Sequence, residues 1–190
     1  AVAFDFLGSG ESDGTFEKML VSGEVADAAE MTRWLQARPF ADRSRLGLVG
    51  FSLGGLVAGC LTGETDAFGA VALIAPTTTE NLARHAASRA DARGQVAMGA
   101  HRLHPGFFED LEALDPLAGI AAHPRPTLLL QGSTDEAVAP AVSAAFTDAM
   151  DRGGIENERR LIDGAGHTFA DPGHQRAVVD AVTDFLPAKL

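Results

Sequence analysis

Gly50-Phe51-Ser52-Leu53-Gly54 is a G-x-S-x-G pattern set between two apolar segments, Leu46–Phe51 before it and Leu53–Leu61 after it. The first reads as a buried strand and the second as an uncharged helix, so Ser52 falls on a sharp strand-to-helix turn. On such a turn the serine hydroxyl stands clear of the sheet, small flanking residues let neighbouring backbone approach, and the Leu53 N–H lies at a helix N-terminus where it can stabilise an oxyanion. A serine hydroxyl is a weak nucleophile that needs a base held in one tautomer by an acid. Both follow in the chain. The apolar segment Thr127–Gln131 leads into Gly132-Ser133-Thr134-Asp135-Glu136, and a segment ending at Ile162 leads into Asp163-Gly164-Ala165-Gly166-His167-Thr168-Phe169. Ser52, Asp135 and His167 thus each follow a strand, at the end where open α/β sheets bind ligands. The chemistry expected is acyl transfer, with Ser52 as nucleophile, His167 as base, Asp135 as the acid that orients it and Leu53 as an oxyanion donor.

Other residues compete for these roles. Asp115 precedes Pro116 and Asp163 opens a turn with Gly164, which suits both to local turns; Glu136 is the closer rival to Asp135. His101-x-x-His104 has the spacing of two metal ligands, but no acidic or cysteine partner joins it at a ligand spacing and Pro105 follows at once, so no metal site is expected. His85 and His123 read as solvated cap or loop residues and His174 as an exposed position in the first turn of the last helix. Cys60, deep in the apolar segment after Ser52, reads as a small buried hydrophobe.

The elements that must position these residues alternate. Strands are predicted at Val2–Phe6, Leu46–Phe51, Ala70–Ala75, Thr127–Gln131 and Glu158–Ile162, and helices at Gly23–Ala37, Leu53–Leu61, Pro140–Met150 and Pro172–Leu186, the last capped by Asp171 and stopped by Pro187. Strands joined by helical crossovers make an α/β fold, a mainly parallel sheet with helices on both faces. One connection is too long for a crossover. Residues 76–125 hold a charged helical stretch at Asn81–Arg93, then His101–Phe108, then a second helical stretch near Glu109–Leu114, and they read as a cap over a pocket. Phe107 and Phe108 are the candidates there for contact with the acyl or aromatic part of a substrate.

Composition narrows the partners. The 190 residues suit one domain, and 26 acidic against 15 basic side chains give a formal charge of −11, which disfavours nucleic acid and anionic membrane surfaces. The uncharged run Leu46–Gly63 nominally reaches the length of a membrane span, but six glycines and a serine interrupt it, as a strand, turn and helix would. One cysteine excludes an intrachain disulfide and a thiolate zinc site. No leader pattern precedes Val2–Phe6, so a cytoplasmic location is expected.

Leu46–Leu56, Leu128–Asp135 and Gly164–Phe169 resemble the nucleophile, acid and histidine motifs of the α/β-hydrolase superfamily, and Asp5–Gly14 resembles the loop after its fourth strand. Ser12–Met19, the helix after it and the mid-sized insertion are most similar to the bacterial cinnamoyl and feruloyl esterases and related carboxylesterases. Family members usually carry Arg where Leu7 stands, and the chain has no tyrosine to meet a phenolic hydroxyl. The resemblance implies a serine esterase with no cofactor, acting on a small-molecule ester. A serine peptidase or thioesterase would share every residue named, and a binding module or an inactive truncated form on the same scaffold would keep the fold without the reaction. The resemblance further implies three strands before Val2–Phe6, the third of them between Val2–Phe6 and Leu46–Phe51 and carrying a second oxyanion N–H. The expectation is therefore an N-terminally incomplete domain, or else a Val2–Phe6 strand that shifts across to close the gap.

Overall fold

The computed structural model describes residues 1–91, 96–98 and 101–190. After a single 3-10 turn at Phe16–Lys18 come α1 (Val21–Gln36), β1 (Gly47–Phe51), α2 (Leu53–Glu64), β2 (Ala70–Ile74) and α3 (Thr79–Ala87). They are followed by β3 (Ala97–Met98), β4 (His101–Arg102), α4 (Phe107–Glu112), α5 (Pro116–Ala122), β5 (Thr127–Gly132), α6 (Pro140–Gly153), β6 (Asn157–Ile162) and α7 (Pro172–Lys189). Four strands form a parallel sheet in the order β1-β2-β5-β6, and β3 and β4, of two residues each, pair antiparallel in a separate two-stranded sheet.

Alternation along the two central strands divides the interior. Val71 and Leu73 of β2 and Leu129 of β5 face one way, onto Leu56 and Val57 of α2 and Phe146 and Met150 of α6. Ala70, Ala72, Leu128 and Leu130 face the other way, under Ala181 and Phe185 of α7. Each fully buried leucine side chain contributes about 1.5–3 kcal/mol, so these two strands carry much of the stability. All three loops that carry the predicted chemistry leave the sheet at the same end because its strands are parallel.

Several expectations are corrected. Val2–Phe6 forms no strand. Phe4 and Phe6 pack against the core, but the segment has no ladder partner among the described residues and does not close the edge of the sheet. Extended backbone becomes a strand only when a neighbour takes its N–H and C=O groups. β1 is consequently an edge strand, with Val49 48% and Phe51 44% exposed, and an apolar groove of about 780 Å³ runs beside it between Phe4, Phe6, Met31, Phe40 and Leu190. Pro187 does not stop α7, which runs on to Lys189. So close to the helix end the proline forfeits one helical bond, and the last turn closes through the Leu190 N–H to the Leu186 carbonyl.

Within residues 76–125, α3 starts where Thr78 caps it through the Asn81 N–H and ends at Ala87; the predicted helix end at Arg93 lies outside the described residues. The second predicted stretch is α4. α5 was not expected, although its start is marked: Asp115 accepts from the Leu117 and Ala118 N–H groups and Pro116 takes the first position. α5 lies so close to α2 that a Cβ on Gly119 would sit 2.1 Å from the Gly59 carbonyl oxygen. His123, expected in solvent, closes α5 and is 1% exposed; burial first and then Arg125 lower its pKa. Among the described residues no helix is long and apolar enough to cross a membrane.

Two stability predictions follow from this packing. Gly119→Ala, which drives a methyl into backbone, should lower the free energy of unfolding in urea by about 3 kcal/mol, whereas Gly23→Ala in α1, whose Cβ would meet nothing within 4 Å, should raise it by about 0.5 kcal/mol. The second concerns Glu24 of α1. It is 6% exposed, its Oε2 has no partner among the described residues, and burial, with Asp27 nearby, pushes its pKa up to about 7. As pH rises from the usual carboxylate range to about 7 the unfolded chain releases this proton and the folded chain keeps it, so stability falls across that window and the deficit is constant above it, at about 3 kcal/mol. Glu24→Gln should therefore unfold at higher urea than wild type at pH 8 and at nearly the same urea at pH 4.

Candidate active site

Ser52 sits between β1 and α2 with φ 53° and ψ −114°, a conformation that L residues rarely adopt. Its main chain is tied on both sides: its N–H donates to the Ile74 carbonyl at 2.9 Å, and its carbonyl accepts from the Thr77 N–H at 3.2 Å and the Gly55 N–H at 2.9 Å. The turn is tight enough that a Cβ at Gly50 would lie 2.4 Å from the Gly54 carbonyl oxygen. Of the two glycines in the motif only this one is required sterically. A Cβ at Gly54 would meet nothing within 4 Å, and the close contact on that side, with Pro76, belongs to Gly55. Leu53 opens α2, so its N–H is one of those at a helix start without a partner inside the helix.

The structure brings Ser52, His167 and Asp135 together. His167 Nε2 is 2.9 Å from Ser52 Oγ, and His167 Nδ1 is 2.8 Å from Asp135 Oδ2. An ionised carboxylate only accepts, so Nδ1 carries the proton and Nε2 is left to accept from the serine hydroxyl. The Asp135 side chain has no exposed surface, while that of His167 is 22% exposed. Asp135 follows β5, and its other oxygen, Oδ1, accepts from the Ala137 and Val138 N–H groups at 3.0 and 2.8 Å; Oδ2 also accepts from Gln131 Nε2 at 2.9 Å. Four donors thus hold one buried carboxylate in a single orientation. The Phe51 ring lies tilted beside the imidazole at 5.2 Å between centroids.

The loop carrying His167 is clamped onto the loop carrying Asp135. The Thr134 N–H donates to the Ala165 carbonyl, Ser133 Oγ accepts from the Gly164 N–H at 2.8 Å and donates to Asp163, and Thr134 Oγ1 donates to the Gly164 carbonyl. Phe169, at φ 49°, is buried against Ala75 and Ala165 and anchors the far end of the loop. Asp163 therefore serves the clamp, Asp115 caps α5, and Glu136 points into solvent. Sequence reasoning missed Gln131, Ser133 and Thr134. Gln131 carried a usable signal, a polar residue closing the apolar run Thr127–Leu130, whereas two small polar residues in a loop look like any turn.

The remaining candidates lie apart. His101 Nδ1 meets Glu17 at 2.9 Å, holding that carboxyl below its usual range, while His104 Nδ1 accepts from the Gly106 N–H in a local turn. Cys60 is buried in α2, and burial, with Glu64 and Asp115 nearby, pushes its thiol up to about 12. Phe107 is 1% exposed in the main core, and Phe108 packs edge-on against it with part of its surface free.

Asp135 is the buried hub of this arrangement. Asp135→Ala would strand buried donors from two loops, and it should lower unfolding free energy in urea by about 3 kcal/mol; an unchanged urea midpoint would contradict the hub role.

The sequence model of the prolyl oligopeptidase family matches residues 2–190. No curated protein matches the chain by sequence. Among solved structures, Est1E from Butyrivibrio proteoclasticus with ferulic acid bound superposes at a TM-score of 0.80 and 19% identity, over 97% of this chain and 75% of that one. The α/β hydrolase GrgF from Penicillium sp. sh18 gives 0.73 at 14% identity, over 97% and 78%. A puromycin-hydrolyzing peptidase of Mycobacterium tuberculosis gives 0.68 at 24% identity, over 88% of this chain but 25% of its own. The fold is that of the α/β hydrolases.

Proposed function

The chain belongs to the prolyl oligopeptidase family and is a serine hydrolase, and from that premise we propose that it cleaves small carboxylic esters through an acyl-enzyme on Ser52. The observation that carries this reading is the unbroken line of contacts from Ser52 Oγ through His167 to the buried carboxylate of Asp135.

Ser52 Oγ attacks the ester carbonyl carbon while its proton passes to His167 Nε2. The new imidazolium is stabilised by Asp135 through Nδ1–H, and the tetrahedral oxyanion takes a hydrogen bond from the Leu53 N–H. The intermediate collapses by breaking the bond to the alkoxy oxygen, which leaves with the proton held by His167. Water then attacks the acyl-enzyme by the same route, giving up a proton to His167, and Ser52 is regenerated with release of the carboxylic acid. With Phe107 sealed in the core, Phe108 is the one of the pair with surface to offer a substrate, and residues 76–125 are the part of the chain proposed to cap it.

Esters are preferred over peptides because the chain corresponds to most of Est1E, whose structure holds ferulic acid, but to only a quarter of the puromycin-hydrolyzing peptidase. The acyl group is left general: this chain has no tyrosine to offer a phenol to a hydroxycinnamate ring. The family match keeps a peptidase as the second reading, with the same three side chains in the same roles.

Hydrolysis of short-chain chromogenic esters, compared with aminoacyl anilides, separates the two. Ester turnover should dominate and should fall by at least about three orders of magnitude in Ser52→Ala and in His167→Ala, with Asp135→Asn keeping somewhat more because the base survives in a poorer tautomer. Dominant anilide cleavage would favour the peptidase, and near-normal ester turnover in Ser52→Ala would remove Ser52 from the reaction.

A further inference from the structure

The orientation of Asp135 is itself held, and the residue that holds it lies within the sheet. Gln131 is the penultimate residue of β5, between β2 and β6, and has no exposed surface. Its Nε2 donates to Asp135 Oδ2 at 2.9 Å and to the Val138 carbonyl at 3.1 Å, with the Gly132 carbonyl a longer third acceptor. Its Oε1 is buried with no partner among the described residues. Turning the amide over would aim that oxygen at three acceptors, so the observed orientation is the only tolerable one, and it is kept although a buried carbonyl is left unpaired.

The Gln131 contact falls on the oxygen that matters. Oδ1 is fixed by two backbone N–H groups of its own loop. Oδ2, which receives His167 Nδ1, has one further donor among the described residues, Gln131 Nε2, and it comes from the sheet and not from either catalytic loop. The same amide binds Val138, whose N–H holds Oδ1, so strand, loop and carboxylate form one closed unit. A second donor on Oδ2 also draws off part of the negative charge that Asp135 presents to the imidazole.

We propose that Gln131 is a positioning residue of this active site, which aims Asp135 Oδ2 at His167 and limits how strongly the carboxylate holds the imidazolium. The inference rests on the reading of Ser52, His167 and Asp135 given above. Other charged groups near the unit are committed elsewhere: Glu136 points into solvent, Asp163 is bound to Ser133, and Arg159 of β6 donates to the Pro140 carbonyl.

The test is the rate at which a fluorophosphonate labels Ser52 in the full chain, followed across the neutral pH range in wild type and in Gln131→Met, which keeps the length of the side chain and removes the donor. The plateau rate should fall about ten-fold, and the pH of half-maximal labelling should rise by about one unit because the imidazolium gains a more negative neighbour. A merely structural glutamine would lower the melting temperature and leave the pH profile where it was. A folded Gln131→Met with the wild-type plateau and profile overturns the proposal. Should that variant fail to fold, Gln131→Leu, which likewise removes the donor, is read in the same way; its profile should also move to higher pH, and an unmoved profile overturns the proposal. Labelled wild type with an unmoved variant defeats this inference alone, whereas wild type that does not label at Ser52 defeats the triad reading and this one with it.

Discussion

A carboxylate without exposed surface is tolerable inside a protein only if its charge is met by hydrogen bonds, and Asp135 is met by four. That requirement organises the surroundings. Two of the donors are backbone groups, which fixes the path of the loop after β5. A third is Gln131, which anchors the carboxylate to the centre of the sheet. The fourth is the imidazole of His167, whose loop must therefore lie against the first, and Ser133 and Thr134 supply the bonds that keep it there. With the imidazole ring held at one nitrogen, the other is aimed at Ser52, whose own strained backbone is secured to β2 and to the turn after it. The rare conformation of Ser52 is thus carried by the packing of β1, β2 and α2.

Much of this was legible in the sequence. Four of the five predicted strands and the helices α2, α6 and α7 are apolar or amphipathic runs, and such runs mark the elements, with burial concentrated in the central strands β2 and β5. The order serine, aspartate, histidine, each after a strand, was legible for the same reason, since parallel strands deliver their following loops to one end of the sheet. What escaped depends on contacts between distant residues. The start of α1 is set by Asp110, which binds both the N–H and the hydroxyl of Ser22 from 88 positions away. His123 follows a helix that local reasoning missed, and so its burial was missed with it. Val2–Phe6 has the alternation of a strand, but alternation describes side chains, and a strand also needs a partner for its backbone.

Packing around the site is uneven. α5 rests against α2 at glycine distance, so the helix that begins beside Ser52 is braced along its length. Asp110 fastens α4 to α1, linking residues 76–125 to the body on that side. Among the described residues β1 is the edge of the sheet: half-exposed Val49 and Phe51 border the apolar groove, and Phe51 also lies against the ring of His167. The site is thus firmly built on the side of β2, β5 and β6.

The proposed reaction requires that Ser52 Oγ be the atom that attacks, with His167 and Leu53 disposed around the product of that attack. A crystal structure of the chain after reaction with a phosphonate ester tests this most directly. The account predicts a covalent bond from Ser52 Oγ to phosphorus, a phosphonyl oxygen accepting from the Leu53 N–H, and His167 Nε2 within hydrogen-bond reach of the bound group while Nδ1 stays on Asp135. Phosphorus bound to any other side chain, or a modified Ser52 with His167 turned away from Asp135, would contradict it.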